Sequence, residues 1–306
     1  MRVVVVGATG LLGHALWRDW RARPGWSVVG TSRAARGDLE RLDMQDAARA
    51  AASLAAWRPD AVVIAASEPN VDFCESDPDS TRRVNVDATL DLAQAARAGG
   101  ARVVFFSSDY VFDGSRGAWR EDDPPAPLNE YGRQKLAVER ALAGFGPDAL
   151  VLRVSGLFGW EFKPRNFVLR ARENLAAGRR LTPPDDQVYC PSYVGFLGGP
   201  VAALIEKRAA GLLHLAGAEP FARDAWGRAV ARAFGLDAGL VDGRPTASLP
   251  SGAAPRPLRS DLDSRRAAEL LGAALPGGTA GLERMKADAA AWLPELKAWA
   301  GGDVVA

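Results

Sequence analysis

The first half of the chain alternates short continuous apolar runs with longer stretches of helical periodicity. VVVV at 3–6 is a β-branched run of the kind that forms a strand buried on both faces. Residues 11–22 read as a helix, SVVGT at 27–31 as a second strand, and the Ala-rich QDAARAAASLAAW at 45–57 as another helix. DAVVIAA at 60–66 gives a third strand. A long helix is predicted over 78–98, with Pro78 near its start and Gly99-Gly100 just past its end. ARVVFFSS at 101–108 is a fourth strand, 130–145 a helix, and ALVLRV at 149–154 a fifth strand. This alternation predicts an α/β fold, a doubly wound parallel sheet with right-handed crossovers and helices on both faces. Ligands of such sheets bind at the carboxyl ends of the strands.

After residue 155 the rhythm loosens. Helical stretches near 165–177, 193–208, 221–234, 262–272 and 279–299 are separated by loops rich in Pro, Gly and Arg, notably LTPPDDQVYCPSY and GRPTASLPSGAAPRPLRS. The tail GGDVVA is expected to fray. At 306 residues, 48% hydrophobic and 25% charged, the chain has the composition of an ordinary globular protein with room for a large core. A net charge of +1 gives no reason to expect a nucleic-acid or membrane partner. No apolar run approaches the ~20 residues of a membrane span. The opening MRVVVVGATG is not a signal-peptide pattern, so the cytoplasm is the expected location. Cys74 and Cys190 fit a reducing compartment; pairing stays open, but no disulfide framework is implied. His14 and His214 lack metal-ligand spacing and read as packing or surface residues, and no metal site is expected.

GATGLLG at 7–13 follows the first strand and opens a helix. That context raises a glycine motif above chance, although the spacing is G-x-x-G-x-x-G. Gly7 permits a tight turn, Gly10 lets backbone approach a pyrophosphate, Gly13 lets helix pack on strand, and the helix N-terminus faces the phosphates. The sheet is therefore expected to be Rossmann-type, with a dinucleotide-binding domain over 1–155. Residues 156–306 would form mainly a smaller substrate-binding lobe, some of whose segments return to the sheet. The second strand ends GTSRAAR, without the acid that would bind the ribose 2′-hydroxyl of NAD. Arg33, assisted by Arg36, offers a guanidinium to a 2′-phosphate, which favours NADP(H), with NAD(H) as the alternative. Asp43 can meet the adenine amino group or cap the next helix.

PLNEYGRQKLAVE at 127–139 holds Tyr131 and Lys135 four residues apart, on one helix face. A free tyrosine, with pKa ~10, is a poor acid or base near neutrality. A cation at ~4 Å favours the phenolate by up to ~4 kcal/mol at an effective dielectric of ~20, or ~3 pKa units. Chance also produces such pairs, with the tyrosine snorkelling and the lysine solvated. Here the pair follows a strand ending in Ser107-Ser108, whose hydroxyl can hold a carbonyl beside the phenol. The order of glycine turn, hydroxyl and Y-x-x-x-K resembles the short-chain dehydrogenase/reductase family in its extended form.

A closer resemblance is to the dTDP-4-dehydrorhamnose reductase family. SSDYVFDG at 107–114 resembles S-T-D-Y-V-F-D-G; NVDFCESDPDSTRRVNVDAT, APLNEYGRQKLAVE, LRVSGLFG, NFV, DDQVYCPSYV and RPLRSDLD align with further family blocks. The resemblance implies catalytic roles for Ser108, Tyr131 and Lys135. It implies cofactor contacts at Gly7, Thr9, Gly10, Leu11, Leu12, Arg33, Asp43, Ala65, Ala66, Asn85 and Lys135. Substrate contacts would fall on Val71, Asp109, Tyr110, Asn166 and Arg256. The implied activity is NADPH-dependent reduction of a nucleotide-linked 4-keto-6-deoxy sugar. Asp113, next to Gly114, reads as a turn cap.

The chain departs from that family on the substrate side. Gly156 replaces a tryptophan, Val154 a threonine, Tyr189 a glycine and Phe196 an acid. Two alternatives follow. One is a non-catalytic NADP-binding regulatory subunit, since the methionine adenosyltransferase β subunit is similar in SSDYVFDG and the A-P-L-N-x-Y-G block and also lacks the tryptophan. The other is an epimerase or dehydratase of the same superfamily. Oligomeric state is not legible, dimers being the common case.

Overall fold

The apolar runs form strands in a computed structural model that describes residues 1–34, 36–248 and 254–300. The GGDVVA tail lies outside the described residues. The chain runs β1 (Arg2–Val6), α1 (Leu11–Trp20), β2 (Ser27–Ser32), β3 (Glu40–Arg41), α2 (Ala47–Trp57) and β4 (Ala61–Ile64). Next come α3 (Val71–Ser76), α4 (Pro78–Arg82), a π-helical turn (Arg83–Ala88), α5 (Thr89–Ala98), β5 (Arg102–Ser108), α6 (Glu130–Ala143) and β6 (Ala149–Val154). The second half contributes β7 (Leu157–Phe158), α7 (Phe167–Ala176), β8 (Val188–Tyr189), β9 (Ser192–Tyr193), α8 (Gly198–Glu206), β10 (Gly211–His214) and β11 (Phe221–Ala222). It ends with α9 (Arg223–Ala233), α10 (Arg265–Leu271) and α11 (Gly278–Ala300).

Seven strands pair in parallel in the order β10-β6-β5-β4-β1-β2-β3. Apart from β10 this is the doubly wound order, which reverses direction beside β1. Each central strand is buried on both faces, so its side chains alternate between two cores. Val3, Val5, Val63, Val104 and Phe106 pack with α1 and α8 on one side; Val4, Val6, Val62, Ile64 and Phe105 pack with α2 and α5 on the other. Trp20 fixes α1 to α8 by donating its indole N–H to the carbonyl of Gly198 at 2.8 Å.

The structure departs from the expected elements at two informative places. The long helix over 78–98 is interrupted by the π-helical turn, a local widening that carries the buried Asn85. The seventh strand, GLLH at 211–214, extends the sheet beyond β6 although it lies deep in the second half of the chain. Four residues carry too little periodicity to announce a strand. Its partner supplies the ladder.

Beneath the β5, β6 and β10 edge lies a buried polar chain. Ser107 donates to Glu139, which forms a two-point ion pair with Arg153 at 2.6 and 2.9 Å. Arg153 in turn donates from Nη1 to Nε2 of His214 at 3.3 Å. Arg153 is 2% exposed and Glu139 7%. Removing one partner of such a pair leaves an uncompensated buried charge. Arg153→Met should therefore cost about 3–5 kcal/mol in urea denaturation, and adding Glu139→Gln should restore much of the loss.

Candidate active site

The site is built where β1, β4, β5 and β6 end. Pairing sets Val6 level with Ile64, and Ile64 level with Phe105, so the residues that follow each strand emerge along one edge. Gly7 has φ +88°, and a Cβ there would sit 2.8 Å from Ala66. A Cβ on Gly13 would sit 2.2 Å from the carbonyl oxygen of Gly7. Gly10 is exposed and N-caps α1. Thr9 and Leu11 are half-buried and Leu12 is buried beneath them. The turn is thus closed toward the protein by two glycines and open toward solvent at the third, which suits a phosphate group at a helix N-terminus.

Other expected cofactor residues sort differently. Arg33 is exposed just past β2, while Arg36 lies over the ring of Phe162 at 4.6 Å. Ala65 and Ala66 line the end of β4, where Ala65 N–H donates to the carbonyl of Val6. Asp43 accepts from Gln45 N–H at 3.0 Å, and Asp46 takes the α2 cap instead. Asn85 has its amide committed inside the protein: it accepts from Glu68 N–H at 2.7 Å and donates to Glu68 O and to Gln134. It holds the loop after β4 in place from behind.

The Ser108, Tyr131 and Lys135 side chains converge. Asn129 caps α6 by accepting from Gly132 N–H, which starts the helix one residue before Tyr131. Lys135 is buried one turn on, donates to the carbonyl of Phe106 at 2.9 Å, and stands 5.6 Å from the centre of the Tyr131 ring. Burial lowers its pKa to about 8, against the pull of Cys74 and Glu139. The phenol of Tyr131 does not show the depression expected from Lys135. Burial, followed by the neighbouring Asp109 and Cys74, pushes it well above the usual tyrosine range, with the Ser108 hydroxyl pulling the other way. The ammonium faces the ring and a carbonyl rather than the phenolic oxygen, and desolvation wins.

On the substrate side, Asp109 is 4% exposed and accepts from three hydroxyls: Ser108 at 2.9 Å, Ser155 at 2.8 Å and Ser260 at 2.7 Å. Burial raises its pKa against those three bonds. Tyr110 meets Tyr131 edge to face at 6.1 Å, and its hydroxyl accepts from Arg223. Val71 opens α3, where Asp72 pairs with Arg256 at 2.8 Å. That pair holds the Asp72 carboxyl below its usual range. Asn166 is occupied as the cap of α7 and as a donor to the carbonyl of Gly159. Asp113 caps its own turn through Ser115 N–H. Ser155, Ser260 and Arg223 escaped sequence reasoning. Ser155 carried a signal, a hydroxyl just past the end of a strand; Arg223 carried none.

Both cysteines are buried and free. Among the described residues, no cluster of His, Cys, Asp or Glu could hold a metal ion, and no helix is long and apolar enough to cross a membrane.

The sheet order, the glycine turn, the serine that ends β5 and the tyrosine and lysine of α6 define an extended short-chain dehydrogenase/reductase. The chain belongs to the RmlD substrate binding domain family, whose model matches residues 1–290. It is 34% identical over 284 residues to a Haloferax volcanii protein described as "Probable low-salt glycan biosynthesis reductase", covering 90% of this chain and 94% of that one. It is also 34% identical over 270 residues to the methionine adenosyltransferase 2 subunit beta of Xenopus tropicalis, covering 86% and 80%. The dTDP-4-dehydrorhamnose reductase of Bacillus anthracis in complex with NADP superposes with a TM-score of 0.83 at 26% identity, covering 94% and 99%.

His214 supplies a pH prediction. Its Nδ1 lies 3.1 Å from the Trp119 carbonyl and its Nε2 receives Arg153, so the ring is held neutral. Burial and then Arg153 lower its pKa to about 3. The unfolded chain therefore takes up a proton that the folded one refuses. Stability is full above pH ~6.5 and falls as pH drops toward about 3. Between pH 7 and 5 this group alone should remove about 2 kcal/mol, and His214→Asn should flatten the fall measured by urea titration.

Proposed function

We propose that the chain is an NADPH-dependent reductase of a nucleotide-linked 4-keto-6-deoxy sugar. The observation that carries this reading is the half-buried Tyr131, held between Ser108 and the Lys135 ammonium at the carboxyl edge of the sheet. Gly7, Gly10 and Gly13 would hold the cofactor pyrophosphate against the α1 N-terminus, and Arg33 the 2′-phosphate. NADPH, when bound, supplies the hydride.

The chain's own residues manage the proton. A phenol with raised pKa stays protonated in the resting protein, as a proton donor to a ketone oxygen must. As that oxygen gains negative charge, Tyr131 releases its proton to it. The Lys135 ammonium, beside the ring, stabilises the phenolate left behind. Asp109 takes the hydrogen of the Ser108 hydroxyl and so orients the serine oxygen; rotation of that hydroxyl away from Asp109 lets it hold the substrate oxygen. Val71, Tyr110 and Arg256 border the substrate.

Tyr131→Phe should lower turnover by about 10²–10⁴-fold and leave NADPH binding intact, as read by NADPH absorbance with a panel of dTDP- and UDP-linked 4-keto-6-deoxy sugars. Undiminished activity would overturn the role of Tyr131. Arg33→Ala should weaken NADPH binding but not NADH binding; equal affinity of the wild type for both would remove the cofactor assignment. The similarity to the methionine adenosyltransferase β subunit supports a second reading, a regulatory subunit. NADPH bound but never consumed, together with capture of a synthetase partner, would favour it.

A further inference from the structure

Next to the Tyr131 site, one guanidinium nitrogen of a half-buried arginine and one tyrosine hydroxyl are buried without a hydrogen-bond partner among the described residues. Tyr189 is 5% exposed, and its ring fills the space a side chain at residue 156 would need: a Cβ on Gly156 would lie 2.3 Å from it. Its hydroxyl has no hydrogen-bond partner among the described residues. Arg223 stacks on that ring at 4.7 Å and donates from Nη2 to the Tyr110 hydroxyl at 3.3 Å. Its Nε is buried and likewise has no hydrogen-bond partner among the described residues. The carboxylate that acts on it electrostatically, Asp109, already has three serine hydroxyls bound to it.

Arg223 is also the first residue of α9, an eleven-residue helix, where the macrodipole disfavours a cation. Asp224, the acid of that first turn, is paired with Arg228. A buried guanidinium N–H without a partner, at a helix N-terminus, is costly for stability alone. The first two N–H groups of α9 already donate to the carbonyls of Gln187 and Pro184, so the orphaned groups are those of the side chains; an anionic oxygen group would satisfy the Arg223 Nε and the Tyr189 hydroxyl together.

We infer that Arg223 and Tyr189 form an anion-binding subsite that grips an oxyanion of the substrate and sets substrate choice. The oxyanion belongs either to the diphosphate of the nucleotide or to a carboxylate on the sugar. This rests on the nucleotide-sugar reading above.

The test is calorimetric binding of three probes that differ in one group at a time: the nucleoside diphosphate, its xylose conjugate and its glucuronic acid conjugate. Each is used in uridine and thymidine forms, with wild type, Arg223→Met, Arg223→Lys and Tyr189→Phe. NADPH titration of each variant is the folding control. Loss of about tenfold or more in Arg223→Met is expected, with Arg223→Lys and Tyr189→Phe intermediate. A loss shared by all three probes assigns the diphosphate. A loss confined to the glucuronic acid conjugate assigns the carboxylate. Variants within twofold of wild type on every probe would overturn the subsite while leaving the nucleotide-sugar reading standing. A wild type that binds NADPH but no probe at millimolar concentration would overturn both.

Discussion

One buried carboxylate joins the parts of the site. Asp109 immediately follows β5 and accepts hydroxyls from Ser108, from Ser155 after β6, and from Ser260 in the segment leading to α10. Burying a carboxyl costs free energy unless its oxygens are bonded; three hydroxyls meet that need, and the Arg223 charge adds to them. The same bonds fix the Ser108 side chain, dock the 254–263 segment, and place a polar group within electrostatic reach of Tyr131 and Arg223. Trp119 reinforces the docking through an indole bond to the carbonyl of Arg259 at 2.8 Å, and Asp261 accepts from Ala118 N–H. The second half of the chain is therefore attached to the catalytic edge by hydrogen bonds as well as by the β10 ladder.

Burial sets the protonation of Tyr131 and Lys135. Ser108, Asp109 and Lys135 are buried and Tyr131 is half-buried, and desolvation outweighs pairwise attraction. The phenol rises and the ammonium falls, each toward its neutral form. A surface Y-x-x-x-K pair would behave otherwise. The sequence argument of cation lowering phenol treated the two groups as if only their mutual distance mattered. The structure adds the medium around them and the Phe106 carbonyl that accepts a hydrogen bond from the lysine ammonium.

Most of the sheet was legible because buried parallel strands are continuous apolar runs, as in VVVV and RVVFF, and glycines mark the turn that follows β1. The Ser108, Tyr131 and Lys135 set was legible because its spacing is local. What escaped depends on long-range pairing. GLLH becomes a strand only beside β6; Ser260 matters only because it reaches Asp109; Arg223 gains its meaning from Tyr110 and Tyr189. Asn85 and Asn166, which the resemblance places at ligands, bond here to Glu68, Gln134, Gly159 and the α7 cap, contacts that local spacing does not announce.

The departures at 156 and 189 form one change rather than two. Gly156, at φ +51°, leaves room that the Tyr189 ring occupies, so a large residue at 156 and the tyrosine at 189 exclude each other sterically. The exchange keeps an aromatic wall while turning it to face Arg223. By contrast, the cofactor edge is made largely of backbone: a glycine turn, a helix end and two alanines at a strand terminus. Backbone geometry changes little when side chains drift, so one dinucleotide platform can persist while the substrate wall is rebuilt. Relatives described as a probable reductase and as an adenosyltransferase subunit, both 34% identical to this chain, fit that separation. Tyr189 lies on β8 and Arg223 opens α9, outside the paired strands β1, β4 and β5, so a substitution at this wall leaves the strand pairing beneath Tyr131 intact.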